Sequence, residues 1–266
     1  MSPAVLLDQF PANRPLPAPW RTFLRGSGRL EAGGATLRLV TTNTLANHYS
    51  NAQIDDYQGL ARRDFWWRPP LRLTVRARFS HPAGILSGTA GFGFWNDPFL
   101  MTGLRRPALP RVVWFFYSSP PSNMKLDLHC PGPGWKAGAM DATRWPFFAL
   151  LPAAPLAIPL MRLEWLYHRC WPLGQRAVGV SEALLPVAMT DWHEYALDWQ
   201  SRQVHFWVDG HRVLATPIAP KGPLGFVLWL DNQYMVVTPW GNFGYGLLAQ
   251  PEQQWLEISS LAIITR

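Results

Sequence analysis

The chain has 266 residues, enough to bury a substantial core, and all-β sandwiches of this length commonly form one domain. Charged residues make up only 15%, against roughly 25% in an average soluble domain, whereas aromatics reach 14% with fifteen Trp, so the rings must serve something beyond a core. The net charge of +7 is carried by Lys and Arg scattered in ones and twos with no long basic run, which sets nucleic-acid binding aside.

In chain order, residues 1–19 are rich in Pro and Ala and read as an extended N-terminal arm, with residues 20–266 as a single domain. No basic segment followed by an apolar one marks a signal peptide, so a cytoplasmic location is expected. From Trp20 to Thr42 the glycines Gly26, Gly28, Gly33 and Gly34 separate short strands, the clearest running from Ala35 to Val40. Leu71, Leu73, Val75, Ala77 and Phe79 then alternate with Arg72, Thr74, Arg76 and Arg78, the pattern of a strand with one core face and one wet face. Two glycine- or aromatic-rich runs, Gly91 to Pro98 and Pro110 to Tyr117, lack helical periodicity and predict strands buried on both faces.

Between Pro131 and Pro186 the β pattern lapses, which predicts a helical, apolar insertion over 131–186. Pro159 suits the first turn of a helix and Pro172 disfavours helix at the residue before it, so the two bracket about three turns. Leu160, Leu163, Tyr167 and Trp171 form its apolar stripe, with Glu164 and His168 beside it at i and i+4. The uncharged run from Pro146 to Met161 is broken by prolines and too short to span a bilayer. Flanked by Arg162 and Arg169, it has the makings of a membrane-surface contact, a reading ranked below that of a lid because the prolines prevent a long amphipathic helix. Cys130 and Cys170 allow one disulfide at most and read as buried thiols.

The most informative segment comes last. Tyr195, Leu197 and Trp199 alternate with polar partners, as do Val204, Phe206 and Val208, and Asp209-Gly210 is a preferred type I′ hairpin turn. The β pattern resumes from Gly225 to Tyr234 and closes from Trp255 to Ile263. The run Trp192-His193-Glu194-Tyr195-Ala196-Leu197-Asp198-Trp199 followed by Val208-Asp209-Gly210 resembles the H-x-Y-x-x-x-W … V-D-G signature of the concanavalin A-like lectin/glucanase superfamily, in particular the family-16 glycoside hydrolases. The resemblance implies an all-β jelly-roll sandwich with a concave ligand-binding face.

It also implies a catalytic strand with an E-x-D-x-E or E-x-D-x-x-E motif following the strands at Leu71 to Phe79 and Gly91 to Trp95. That place is filled by Arg111 to Ser119, and from Pro98 to Leu126 there is no Asp or Glu. Retaining glycosidases need two carboxyl groups about 5 to 5.5 Å apart, so hydrolysis by the family's own mechanism is not expected. With aromatic residues in place of the carboxylates and the insertion folded over the concave face, the expected result is a closed apolar pocket for a hydrophobic or aromatic small molecule. Asp97, Glu164, His168 and Asp231 are the acid/base candidates for isomerase-, cyclase- or hydratase-type chemistry, because desolvation in such a pocket raises a carboxyl pKa. Trp95, Trp114, Phe116, Tyr167, Trp229, Asn232, Tyr234 and Trp240 are the ligand-contact candidates. The bland roles are Asx-turns for the two Asp, a surface pair for Glu164 and His168, and core packing for the rings. The alternative function is a glycan-binding module or a divergent family-16-like hydrolase. No zinc, EF-hand, Walker A, Rossmann or nucleophile-elbow motif occurs, so no cofactor is expected, and the resemblance leaves room for a structural calcium ion.

Overall fold

Leu71–Phe79 forms the strand its alternation predicts, its five apolar side chains in the core and its polar set turned outward. The computed structural model describes residues 4–7, 10, 16–98 and 106–265. In chain order the strands are β1 (Ala4–Leu7), β2 (Arg21–Arg25), β3 (Arg29–Ala32), β4 (Leu37–Thr41), β5 (Asn51–Asp55) and β6 (Leu71–Phe79). There follow β7 (Thr89–Trp95), β8 (Arg111–Ser118), β9 (Gly134–Asp141), β10 (Val180–Leu184), β11 (His193–Trp199), β12 (Val204–Val208) and β13 (His211–Thr216). The chain closes with β14 (Gly225–Asp231), β15 (Gln233–Val237), β16 (Phe243–Leu247) and β17 (Gln254–Thr265).

Two antiparallel sheets pack face to face. One has the order β13-β12-β11-β6-β17-β4-β3, with β1 added along β17, and the other β10-β9-β8-β7-β14-β5-β2. Between them lies the main core, to which the second sheet gives Phe92, Phe94, Phe115, Tyr117, Trp135, Phe226 and Leu228. The first sheet answers with Val75, Tyr195, Leu197, Trp199 and Phe206. The meander is built as its pattern requires: Tyr195 pairs Val208, Leu197 pairs Phe206, and Asp209 (φ 50°) and Gly210 (φ 76°) make the left-handed turn.

The insertion differs from its predicted limits. Residues 131–186 begin and end with strands, β9 and β10, which pair with each other and extend the second sheet. The helices lie between them as α1 (Trp145–Leu150), α2 (Ala154–Leu160) and α3 (Glu164–Val178). Neither proline is a boundary, since Pro159 lies inside α2 and Pro172 inside α3. The carbonyl that Pro172 leaves without an N–H belongs to His168, an exposed residue. Of the expected apolar stripe only Tyr167 is buried, while Leu160 and Leu163 are exposed.

Candidate functional site

Side chains alternate along the strands of the second sheet, so every other residue projects away from the main core. The register gives the outward row Lys136, Phe116, Gly91, Trp229, Gln53 across β9, β8, β7, β14 and β5. The next row is Gly138, Trp114, Gly93, Val227, Asp55. The two glycines leave the space that the rings occupy: a Cβ on Gly93 would fall 2.5 Å from Trp114 Cα, and one on Gly91 2.9 Å from the Trp229 ring.

Trp95, Trp114, Phe116 and Trp229 thus form a second cluster on the outside of the sheet, separate from the main core. Trp95 and Trp229 are parallel at 6.4 Å, Trp114 and Phe116 stack at 5.0 Å, and Trp114 meets Trp229 at 5.4 Å. Two of the indole N–H groups are held in place. Trp95 donates to the Tyr57 hydroxyl at 2.8 Å and Trp229 to Thr89 Oγ1 at 2.9 Å, and Thr89 in turn donates to Asp231 at 2.7 Å. Leu60, Phe65, Met124 and Met140 pack over the cluster, leaving Trp95, Phe116 and Trp229 only 6–7% exposed and Trp114 half-buried.

One end of this face is acidic. Asp55 accepts hydrogen bonds from Gln53 at 2.8 Å and Gln58 at 2.7 Å, and burial, outweighing them, raises its pKa. Its neighbour Asp56 accepts from the Trp67 indole and the Phe226 N–H, and burial pushes it up to about 7. Burial, then the charges of Asp55, Asp97 and Asp56, drive the Tyr57 hydroxyl well above its ordinary value. At the other edge Lys136 is buried and donates to Glu182 at 2.9 Å and to the Gly132 carbonyl at 2.8 Å.

A groove of about 550 Å³ opens beside the aromatic cluster, lined by Lys125, Leu128, Met161, Arg162, Glu164, Tyr167, His168, Trp240 and Asn242. The 122–130 loop separates the two, for Met124 packs on the aromatic cluster while Lys125 lines the groove. Helix α3 holds this loop through Trp171, whose indole donates to the Leu126 carbonyl at 2.8 Å, and through Gln175, which donates to Asp127 at 2.8 Å. Tyr167 and Trp240 meet edge to face at 5.4 Å.

The sequence-derived candidates therefore separate into three groups. Trp95, Trp114, Phe116 and Trp229 come together on the sheet, and Glu164, Tyr167, His168 and Trp240 come together in the groove. Asp97, Asp231, Asn232 and Tyr234 line neither, although Asp231 reaches the aromatic cluster through Thr89 and Trp229. Asp231 accepts the Gln233 N–H two residues on, at 3.1 Å, as an Asx-turn does, and burial pushes it up to about 6. Asn232 is buried and bonds Ser50, His48 and Leu248, Asp97 is buried with φ 47°, and Tyr234 lies in the β15–β16 hairpin against Gly246. Glu164 and His168 are 90% and 59% exposed and 3.9 Å apart, so the desolvation required for acid/base work is missing. Sequence reasoning missed Gln53, Asp55, Tyr57, Lys136 and Glu182. The alternation of Asn51, Gln53 and Asp55 with Ala52 and Ile54 was the available signal for β5.

Among the described residues, Asp55, Asp231 and Glu182 on the outer face of the second sheet do not stand as a glycosidase pair. Asp55 and Asp231 share the outer face of adjacent strands, but Asp55 lies opposite Val227, four residues and about 13 Å along β14 from Asp231. Glu182 is five strands from Asp55, about 24 Å. Among the described residues no group of three or more His, Cys, Asp or Glu is placed to hold a metal ion.

No protein-family model matches the sequence, and no curated protein matches it. Solved structures do. An endo-1,3-β-glucanase from Streptomyces sioyaensis superposes with TM-score 0.53 and 12% identity over 100% of this chain and 98% of that one. A prokaryotic β-1,3-1,4-glucanase (lichenase) derived from a mouse hindgut metagenome gives 0.53 and 13% over 99% of each. The carbohydrate recognition domain of Emp47p gives 0.51 and 12% over 98% and 94%. The chain has the concanavalin A-like jelly-roll fold. At these identities the likeness is one of fold. It corrects the expectation of an apolar pocket for isomerase-, cyclase- or hydratase-type chemistry, since the three similar structures are of two glucanases and a carbohydrate recognition domain. The physical reason is plain in the jelly roll itself. The apolar face is filled by the protein's own Leu60, Phe65, Met124 and Met140, and the open groove beside it mixes aromatic and aliphatic side chains with charged and amide groups.

Proposed function

We propose that the protein is a glycan-binding module, and that its binding site is the groove between the insertion and the loops around Lys125 and Trp240. The observation that carries this reading is the make-up of the groove: the Trp240 and Tyr167 rings beside Lys125, Arg162, His168, Glu164 and Asn242. An indole suits the apolar face of a sugar ring, while ammonium, guanidinium, carboxylate and amide groups suit its hydroxyls. A cavity of about 550 Å³ is of the size that holds small ligands. Glu164 is the only carboxylate among the lining residues, so the groove supports binding without the two-carboxylate hydrolysis of glycosidases.

The test is affinity electrophoresis against laminarin, lichenan and other oligo- and polysaccharides, with reducing-sugar release measured in parallel. Retention on at least one glycan, weakened about tenfold by Trp240→Ala in a protein that keeps its thermal midpoint, is expected, without sugar release. Retention unchanged in Trp240→Ala, or no retention on any of them, overturns the proposal.

A further inference from the structure

The insertion displays an apolar surface that the jelly roll does not cover. From Trp145 to Leu160 every residue is apolar, yet none of the sixteen is buried and twelve are exposed. Trp145 and Leu156 are 77% and 78% exposed, and Phe148, Leu151 and Leu160 lie about half open to water. A contiguous run of this kind marks an interaction surface rather than scattered surface hydrophobes. Nor does it belong to the groove, whose lining begins at Met161 within the insertion.

Helix α3 adds to the same character. At about 100° per residue, Trp165, Arg169, Leu173 and Arg176 fall within a quarter of its circumference, away from the buried Tyr167, and all four are exposed. Large apolar residues and arginines therefore share the solvent side of one helix. Over residues 142–178 four arginines, at 144, 162, 169 and 176, face a single carboxylate, Glu164.

We propose that this insertion docks the protein on an anionic lipid surface, its apolar run seated at the boundary between headgroups and acyl chains and Arg169 and Arg176 of α3 on the phosphates. Charge selects this occupant over a second copy of the chain. A self-paired face would set arginine against arginine with one carboxylate per copy in compensation, whereas an anionic bilayer satisfies both the rings and the cations. Geometry selects a surface contact over a span. The helices before α3 are six and seven residues long, prolines interrupt the run at 146, 152, 155 and 159, and among the described residues no helix is long and apolar enough to cross a membrane. The proposal is independent of glycan binding, because the docking residues tested below do not line the groove.

The experiment is co-sedimentation of the full chain with vesicles of phosphatidylcholine alone and with an equal part of phosphatidylglycerol, at low and at 0.5 M salt. Expected are at least tenfold stronger binding to the anionic vesicles at low salt and a marked loss at high salt. The double variant Trp145→Glu/Leu156→Glu, both sites being exposed, is expected to fold with an unchanged thermal midpoint and to abolish binding to both vesicle types. Arg169→Gln/Arg176→Gln is expected to reduce binding to anionic vesicles alone. Absence of sedimentation, binding retained by the Glu double variant, or a dimer in light scattering that this variant dissolves without any vesicle binding would each overturn the proposal. Glycan retention by the Glu double variant is expected to match the wild type, so failure of this proposal and failure of the glycan reading are told apart.

Discussion

Lys136 offers the sharpest test of how the outer sheet face is held together. Its side chain is 2% exposed, and its ammonium serves Glu182 at 2.9 Å and the Gly132 carbonyl at 2.8 Å. Lys136→Met keeps the length of the side chain and removes the charge, leaving a carboxylate and a carbonyl without their donor. Removing one partner of a buried ion pair costs about 3–5 kcal/mol. Glu182 keeps 17% of its side chain exposed, so water screens part of the orphaned charge and the low end, about 3 kcal/mol, applies. Glu182→Leu alone strands the buried ammonium at a similar cost of about 3 kcal/mol, whereas Lys136→Met/Glu182→Leu leaves only the Gly132 carbonyl unsatisfied, about 1 kcal/mol, so the pair is expected to couple by about 5 kcal/mol. The cost also carries a pH signature. Burial already raises the Glu182 pKa and Lys136 opposes that rise, so the carboxyl titrates higher still in Lys136→Met. A raised carboxyl contributes its stability fully below its unfolded value near 4.5 and loses it as pH climbs through the folded value, so the deficit of Lys136→Met grows between pH 4 and pH 7. Urea unfolding of the wild type, both single variants and the double variant at the two pH values measures all of this. A deficit under 1 kcal/mol at pH 7, or strict additivity in the double variant, would refute the reasoning.

Two further outcomes follow from the same face. Gly93→Ala sets a Cβ 2.5 Å from the Trp114 Cα, a backbone atom that cannot swing aside, so it is expected to destabilise by about 2–3 kcal/mol and to alter the near-UV circular dichroism of the Trp cluster; an unchanged spectrum and midpoint would count against the close approach of β7 and β8. Asp231→Asn keeps an Oδ1 acceptor for Thr89 and Gln233 but cannot ionise. Because burial raises Asp231 from 3.8 to about 6, the wild type loses stability as pH rises between those values, so the variant should match it near pH 4 and exceed it by about 3 kcal/mol at pH 7; a gap in urea midpoints that does not grow with pH removes the basis for that assignment.

Much of the jelly roll is legible in the residues because strand periodicity is a local property. Leu71 to Phe79 and Tyr195 to Val208 alternate so strictly that one register alone buries their apolar sets, and Asp209-Gly210 supplies the positive φ that closes the hairpin. The absence of carboxylates from β8 is likewise a fact of the sequence, whichever face each residue takes. The limits of the insertion were not legible. Strands β9 and β10 owe their place to the pairing of one with the other and of β9 with β8, and α3 runs through Pro172 although the residue pattern alone ends a helix there. Nor could spacing reveal that Glu164 and His168 stay wet, that Met124 closes over the rings while Lys125 opens onto the groove, or that Lys136 finds Glu182 forty-six residues away. Periodicity tells a residue which side of its own strand it faces, but what waits on that side is set by segments distant in the chain, and burial, pairing and pKa all depend on them.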